Sequence, residues 1–327
     1  MDRLPGVLRA GSGHWREPSE GRLLGFGVIR AWLQAARPLA HANIAPPILV
    51  GIALSAAHGV TLDPWLAALA FGFGVLDHLY IVFANDHADR AADALHEAPT
   101  VFSGGSRVIP EGVLDAGQLK RAAVGAGAAL ALFSVGVAVV FDRPWLPALA
   151  GAALVLLHAY SYPPLKLSYR GFGEILQGLG VGLVLPLVGF YLQSGSIAAA
   201  PWEAFAPLVM MAYVSNILTA LPDVAADRAA DKKTWPVRRG EARARRDVLV
   251  LLGVALLLAS QVGPELPLEL RAATLGPPAL AALLAMRWLN RADAAHRADL
   301  LRFVGFGLAA TGLFQIGWAL ALLSLSS

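Results

Sequence analysis

Long runs of apolar residues recur along this chain, and the shorter segments between them hold most of its charged residues. A run of about 20 apolar residues is long enough to cross the hydrocarbon core of a bilayer as an α-helix. The pattern therefore predicts an all-α integral membrane protein with nine transmembrane helices. The predicted spans cover residues 38–58, 64–84, 119–141, 145–160, 173–193, 203–221, 248–263, 268–289 and 300–324.

The composition agrees with a membrane protein. Apolar residues make up 57% of the 327 residues and charged residues only 15%, whereas about a quarter of the residues in a soluble domain are charged. The chain has no cysteine, which excludes disulfides, thiolate nucleophiles and metals held by sulfur.

The basic residues predict how the chain is oriented in the bilayer. All 26 of them except Arg143 and Arg271 fall before the first span or next to the connections after spans two, four, six and eight. By the positive-inside rule, this asymmetry predicts a cytosolic N-terminus and an external C-terminus in a bacterial-type inner membrane. Topology also accounts for the basic net charge, so no nucleic-acid partner is expected.

Residues 1–36 are predicted to form a cytosolic arm. Within it, residues 23–36 mix apolar groups with arginine, a pattern typical of an amphipathic helix that lies on the membrane surface. An ordinary polar tail is the alternative. Residues 37–327 form the predicted membrane domain, with cytosolic cap loops at 85–118 and 222–247.

Two acidic clusters lie at the ends of predicted spans. The first, after span two, places carboxylates at i, i+3 and i+7, and the second, after span six, places them at i, i+4 and i+8. On a helix, each set falls on a single face. The clusters consist of Asp86, Asp89 and Asp93, preceded by Asn85, and of Asp223, Asp227 and Asp231.

Both clusters fall on the predicted cytosolic side, four spans apart. An even number of intervening spans keeps the two halves of a membrane protein in the same orientation. The positions of the clusters therefore predict two parallel repeats of four helices, followed by a ninth helix.

Grouped carboxylates at a membrane surface favour a cation site. Mg²⁺ prefers oxygen ligands and is commonly held by a few carboxylates together with the phosphates of a substrate. Each charge in apolar surroundings is unfavourable by about 2.5 to 3.5 kcal/mol, so two clusters indicate function; acidic decoration of solvated loops is the alternative. Basic residues on the same side would bind a diphosphate or simply set the topology: Arg90, Arg107, Lys166, Arg170, Arg228, Lys232 and Lys233.

The motifs around the two clusters match those of a known family. The first reads Asn-Asp-x-x-Asp-x-x-x-Asp from Asn85 to Asp93, and the second reads Asp-x-x-x-Asp from Asp223 to Asp227. Further agreement comes from Arg37-Pro38, Tyr162-Pro163, Lys166 and Pro222-Asp223. At these residues the chain resembles the UbiA superfamily of intramembrane aromatic prenyltransferases, and the resemblance covers essentially the whole predicted membrane domain.

The resemblance implies a helix bundle around a central cavity, in which both motifs hold Mg²⁺ against a prenyl diphosphate. Lys166 would contact the diphosphate and neutralise its departing charge. Many members carry a small residue at the position of Asp231. Its side chain would either extend the acidic face or be solvated. The other ligands of the metal or diphosphate would be Asn85, Asp86, Asp89, Asp93, Asp223 and Asp227. Beside these, the predicted substrate contacts are Tyr162 and, among the basic residues on the cytosolic side, Arg107, Arg170, Arg228 and Lys232.

Residues 167–174 and 233–240 most resemble the branch that prenylates 1,4-dihydroxy-2-naphthoate for menaquinone. That branch implies a small aromatic acceptor in quinone biosynthesis. His87 departs from it, since an aromatic residue commonly follows Asn-Asp there, and residues 91–99 are unusual. Other quinone precursors, a tetrapyrrole alcohol or a specialised aromatic stay open as acceptors.

Two other functions stay in view beside prenyl transfer. A terpene cyclase of the same superfamily would ionise the diphosphate without an acceptor. A cation-binding transporter is disfavoured, because the carboxylates gather at the ends of spans rather than in mid-membrane. Asp77, inside span two, is a further catalytic candidate that would orient an acceptor hydroxyl or receive a proton; a structural group satisfied by a neighbouring helix is the alternative. The sequence predicts neither the prenyl chain length nor the oligomeric state.

Overall fold

The computed structural model of the protein describes residues 25–96, 99, 100, 102, 104–292 and 294–326. These residues form a bundle of helices, as the apolar pattern predicts. The α-helices are α1 Gly25–Ala36, α2 Ala45–Ala57, α3 Pro64–Ala94, α4 Ala116–Val140, α5 Leu146–Ser161, α6 Gly173–Leu179, α7 Leu185–Ser194, α8 Phe205–Ala220, α9 Val224–Ala229, α10 Trp235–Arg239, α11 Glu241–Ala259, α12 Leu268–Met286 and α13 Arg297–Ser324.

Helical structure occupies each predicted span. Within the described residues, five continuous helical stretches are long and apolar enough to cross a membrane: Pro64–Ala94, Ala116–Val140, Gly173–Ser194, Trp202–Ala229 and Arg297–Ser324. The bent pair Gly27–Asn43 and Ala45–Ala57 would make a sixth. The all-α membrane class is thereby confirmed. The total of nine spans and the repeat architecture stay predictions.

Helix α3 is longer than its predicted span. It begins after Asp63, whose side chain accepts hydrogen bonds from the backbone N–H groups of Trp65 and Leu66 over 2.7 and 3.3 Å, an arrangement typical of a helix N-cap. It continues through the alanine-rich segment that ends at Ala94, because alanine is the best helix former. The first acidic motif therefore lies on the last turns of α3, inside the segment predicted as a cap loop.

Glycines let α2 and α7 pack with their backbones in contact. A Cβ atom at Gly51 would overlap the carbonyl group of Pro186, and one at Gly189 would overlap that of Ile48. Small residues are common where membrane helices approach this closely. The contact joins α2, which follows the turn carrying Arg37, to the centre of the bundle.

Short helical segments cover one end of the bundle. A 3₁₀ helix, Pro38–Asn43, links α1 to α2 at a bend of 40°. Another, Leu167–Arg170, follows α5, and a third, Leu221–Asp223, joins α8 to α9. These segments and the end of α3 carry most of the polar groups considered below.

Gly51 tests the close packing of α2 on α7. Replacing it with alanine places a methyl group against the Pro186 carbonyl, so we expect Gly51→Ala to lose about 1 to 3 kcal/mol of folding stability. Gly125→Ala on α4 is the matched control, because nothing lies within 4 Å of its Cβ position. Thermal denaturation in detergent compares them, and equal melting temperatures would contradict the packing.

Candidate active site

Both acidic motifs open into one cavity of about 690 Å³. Its wall is built by the end of α1, the 3₁₀ helix Pro38–Asn43, the last turns of α3, the α8–α9 junction and α13. Two distant parts of the sequence therefore share a single site. The predicted site residues that line it are Asn85, Asp86, Asp89, Asp93, Asp223, Asp227 and Lys232.

Asp86 is buried and pairs with an arginine from the N-terminal side of the chain. Arg37 Nη2 donates to Asp86 Oδ1, and the backbone N–H of Ser106 donates to Asp86 Oδ2 over 3.2 Å. Arg37 has a left-handed backbone conformation, with φ of 44°. That turn directs the chain from α1 into the 3₁₀ helix along the cavity wall.

Lys232 lies between the two acidic motifs. Its Nζ is 3.0 Å from Asp89 Oδ2 and 3.9 Å from Asp227 Oδ1. Burial alone would lower the pKa of Lys232, but the charges of Asp89 and Asp227 outweigh it and raise that pKa well above its usual value. One ammonium group therefore lies beside a carboxylate from each motif.

Neutral hydroxyl groups complete the surroundings of the same two carboxylates. The Tyr169 hydroxyl donates to Asp89 Oδ1 over 3.0 Å, and the Thr234 hydroxyl donates to Asp227 Oδ2 over 2.9 Å. Burial, followed by the charge of Asp89, raises the pKa of Tyr169, so its phenol stays protonated and can donate. Both carboxylates are thus held in fixed orientations.

Asp223 pairs with a histidine from the segment after α3. His96 Nε2 lies 2.5 Å from Asp223 Oδ1, and this hydrogen bond raises the pKa of His96. Nearby, Arg107 Nη1 donates to the backbone carbonyl of Asp93. The connection after α3 is therefore tied both to the first motif and to the second.

Four residues that contact motif carboxylates are not among the site residues predicted from the sequence. Arg37 and Tyr169 carried a signal, because the first directly precedes Pro38 and the second shares a short connection with Lys166. Nothing in the local sequence marks the other two residues, His96 and Thr234, as part of a site. The four residues are Arg37, His96, Tyr169 and Thr234.

The oxygen-rich lining fits a hard divalent cation that is only partly coordinated by protein. The Asn85 side-chain oxygen is buried without a hydrogen-bond partner, and carboxylate oxygens of both motifs face the cavity. Among the described residues, however, no three acidic or histidine side chains converge to form a metal site. Mg²⁺ held by one or two carboxylates plus substrate phosphates matches such a lining.

Uncharged polar groups lie deeper in the same cavity. Asn216 Nδ2 donates to Gln177 Oε1 over 2.7 Å and lies 3.4 Å from the Tyr160 hydroxyl. Across the cavity, α13 contributes Thr311 and Gln315. The cavity is thus charged at the motif end and neutral beyond it.

Three predicted site residues line a different pocket. Lys166, Arg170 and Asp231 line a second pocket of about 380 Å³ together with Tyr169 and Lys233. Lys166 Nζ stands 3.5 Å from the centre of the Tyr169 ring, and Arg170 donates to a backbone carbonyl of its own loop over 2.8 Å. Tyr169, whose hydroxyl reaches Asp89, separates Lys166 from the acidic motifs.

The remaining predicted residues surround the cavity without lining it. The Tyr162 hydroxyl donates to the Ala84 carbonyl over 3.0 Å, which braces the start of the first motif. Arg107 supports the connection after α3, as described above, and Arg228 is exposed. Asp77 is buried two turns below the motif, with one carboxylate oxygen lacking a hydrogen-bond partner.

Glu174, buried at the start of α6, holds the segment that carries Lys232. Its Oε1 accepts a hydrogen bond from the backbone N–H of Trp235 over 2.5 Å, and its Oε2 lies 3.8 Å from Arg238 Nη2. Tyr169 lies five residues before Glu174 and Lys232 three residues before Trp235. The contact therefore fixes the positions of Tyr169 and Lys232, the two side chains that donate to Asp89, relative to each other.

Glu174 is expected to be a positioning residue. Glu174→Ala leaves the Trp235 N–H without its acceptor, so we expect a loss of about 1.5 to 3 kcal/mol of stability, whereas Glu174→Gln keeps an acceptor oxygen and loses less. Glu269→Ala, an exposed glutamate on α12, is the control. Melting temperatures in detergent decide the matter: a Glu174→Ala protein as stable as the Glu269→Ala protein would contradict this role.

Comparisons with known proteins agree with this geometry. Over 233 residues, 69% of this chain and 76% of the relative, it is 30% identical to the 1,4-dihydroxy-2-naphthoate octaprenyltransferase of Mycobacterium tuberculosis. It is 29% identical over 238 residues, 71% of this chain and 75% of the relative, to the enzyme of that name from Mycobacterium leprae. These relatives confirm the resemblance to the naphthoate prenyltransferase branch.

The fold is also shared with a solved structure. A UbiA homolog from Archaeoglobus fulgidus, bound to DMAPP and Mg²⁺, superposes with a TM-score of 0.66 at 18% identity, covering 90% of this chain and 99% of the other. Residues 44–307 match the UbiA prenyltransferase family, a range that contains both acidic motifs and α2 to α12. The chain is an integral membrane protein and belongs to the UbiA prenyltransferase family.

Proposed function

We propose that this prenyltransferase transfers a prenyl group from a prenyl diphosphate to 1,4-dihydroxy-2-naphthoate or a closely similar aromatic acceptor, in quinone biosynthesis of the menaquinone type. One observation carries the proposal: carboxylates of two distant motifs meet two partly buried basic residues, Arg37 and Lys232, in one cavity. The mycobacterial relatives support the choice of acceptor.

We propose that the charged end of the cavity binds the diphosphate. Bound Mg²⁺ would stabilise the negative charge that develops on the leaving group. Asn85, Asp86, Asp89, Asp93, Asp223 and Asp227 are the proposed ligands of the metal ions, directly or through water. Lys232 and Arg37 would donate hydrogen bonds to the diphosphate oxygens and neutralise the same charge. For Lys166, the predicted diphosphate contact stays a prediction.

The neutral end of the cavity would hold the acceptor and the reacting carbon. Loss of diphosphate from an allylic substrate leaves a delocalised carbocation, which must be kept from water until the aromatic carbon attacks. The Asn216, Gln177 and Tyr160 side chains hydrogen-bond to one another at this end and would orient the acceptor hydroxyl and carboxylate groups. Attack forms the new carbon–carbon bond. If the attacked ring carbon bears hydrogen, its proton then leaves to a base; if it bears the carboxylate, that group leaves as CO₂ and the product is a prenylated naphthoquinol.

The membrane arrangement predicted from the sequence completes the proposal. Nine spans, in two parallel four-helix repeats plus a ninth helix, would place the N-terminus and the opening of the site in the cytosol and the C-terminus outside. Residues 1–36 would form the cytosolic arm and 37–327 the membrane domain. Helical structure at each predicted span and the meeting of both motifs at one end of the bundle support this arrangement.

The transferase activity is directly testable with purified protein in liposomes. We expect prenylated naphthoquinol, detected by mass spectrometry, only when a prenyl diphosphate, 1,4-dihydroxy-2-naphthoate and Mg²⁺ are all present. A panel of prenyl diphosphates and aromatic acids measures chain length and acceptor preference. Hydrocarbon formation without acceptor would indicate a cyclase instead, and absence of any metal-dependent release of diphosphate would refute both activities.

The metal ligands are testable with a matched pair in the second motif. Asp227 faces the cavity and Asp231 lines the second pocket. We expect Asp227→Asn to lower kcat by about 100-fold or more, because it removes a proposed ligand of the metal ion that would stabilise the leaving group, and Asp231→Asn to keep most of the activity. Asp86→Ala and Asp223→Ala should abolish turnover while the protein stays folded. Equal activity of the Asp227 and Asp231 variants would contradict the assignment.

A further inference from the structure

Three of the cavity carboxylates lie beside basic groups of the chain itself. Asp86 pairs with Arg37, and Lys232 pairs with Asp89 at 3.0 Å while lying 3.9 Å from Asp227. These contacts come from the turn after α1 and from the segment after α9, so they join remote parts of the sequence. Asp86, Asp89 and Asp227 thus each have a protein cation as a neighbour.

A divalent cation would have to share these carboxylates with the basic groups. Two like charges about 4 Å apart repel strongly in protein surroundings, and Lys232 is held close to both Asp89 and Asp227. The cation also finds too few ligands, because no three acidic or histidine side chains among the described residues converge on one point. The protein side chains alone therefore make a poor Mg²⁺ site.

A bound diphosphate removes both obstacles to metal binding, namely the repulsion by Lys232 and the shortage of ligands. Its oxygens supply the missing metal ligands, and its negative charges attract Arg37, Lys232 and the metal together. The lysine that repels the metal then binds the same anion as the metal does. The metal ion and the diphosphate therefore each bind more tightly when the other is bound. This mutual effect is a coupling free energy between the two binding events.

We propose that Lys232, assisted by Arg37, is an internal counter-ion that couples metal binding to diphosphate binding, so that the metal is held firmly only together with a diphosphate. The inference rests on the metal role proposed above. Lys232 thereby has a second task beside contacting the diphosphate. It keeps the two acidic motifs together through charge, at the expense of affinity for the metal alone.

Equilibrium dialysis of radioactive Mn²⁺ against the purified full-length protein measures this coupling. A complex of Mn²⁺ with inorganic pyrophosphate passes the dialysis membrane freely, so only protein-bound metal accumulates on the protein side. We expect wild-type protein to bind Mn²⁺ about tenfold or more tightly when pyrophosphate is present. Equal affinity with and without pyrophosphate would overturn the proposal without reference to prenyl transfer.

Variants then assign the coupling to Lys232. Lys232→Met should bind Mn²⁺ without pyrophosphate more tightly than wild type and should lose most of the enhancement by pyrophosphate. Lys233→Met is the matched control, because Lys233 lines the second pocket, and it should behave as wild type. Unchanged coupling in Lys232→Met, or the same change in both variants, would refute the role of Lys232.

A second variant keeps the test decisive if Lys232→Met does not fold. Arg37→Met frees Asp86 alone, and it should also raise the affinity for Mn²⁺ in the absence of pyrophosphate. Reduced affinity there would overturn the proposal. The wild-type measurement needs no variant. Inactivity in the transfer assay with intact coupling would count against the proposed function and not against this inference.

Discussion

The structure depends on the balance of charge at one end of an otherwise apolar bundle. Carboxylates there are buried, and a buried carboxylate is stable only when it is paired and hydrogen-bonded. Arg37, Lys232 and His96 supply that pairing from three different segments. These pairs tie the turn after α1, the connection after α3 and the segment after α9 to the acidic motifs.

Backbone geometry and side-chain chemistry act together in that balance. Arg37 adopts a left-handed conformation at the turn where α1 gives way to the 3₁₀ helix, and the glycine contact between α2 and α7 holds the next helix close to the bundle centre. On the other side, Glu174 anchors the segment that carries Lys232. The site is therefore supported by groups that do not face the cavity.

The sequence contains most of the fold and the acidic half of the site. Apolar runs of about 20 residues are a strong signal because the bilayer thickness dictates them, and carboxylates spaced by helical turns mark one face. The basic residues of the site are harder to predict from the sequence. Lys232 and Asp89 are 143 residues apart, and Lys166, the basic residue singled out by the motif, lies behind the Tyr169 ring in a second pocket. Which basic side chain reaches the carboxylates depends on the tertiary packing of segments that are far apart in the sequence, so it cannot be predicted from local motifs.

The length of α3 has a consequence for where the chemistry occurs. Its 31 residues extend for roughly 46 Å along the helix axis at about 1.5 Å per residue, whereas the hydrocarbon core of a bilayer is about 30 Å thick. In the membrane arrangement proposed above, the last turns, which carry the first motif, would rise to the level of the lipid headgroups while the rest of the helix stays in hydrocarbon. A prenyl diphosphate bound as proposed would then have its ionic group at the water boundary and its isoprenoid tail in the hydrocarbon, so the length of α3 would set the depth at which each part of the substrate lies.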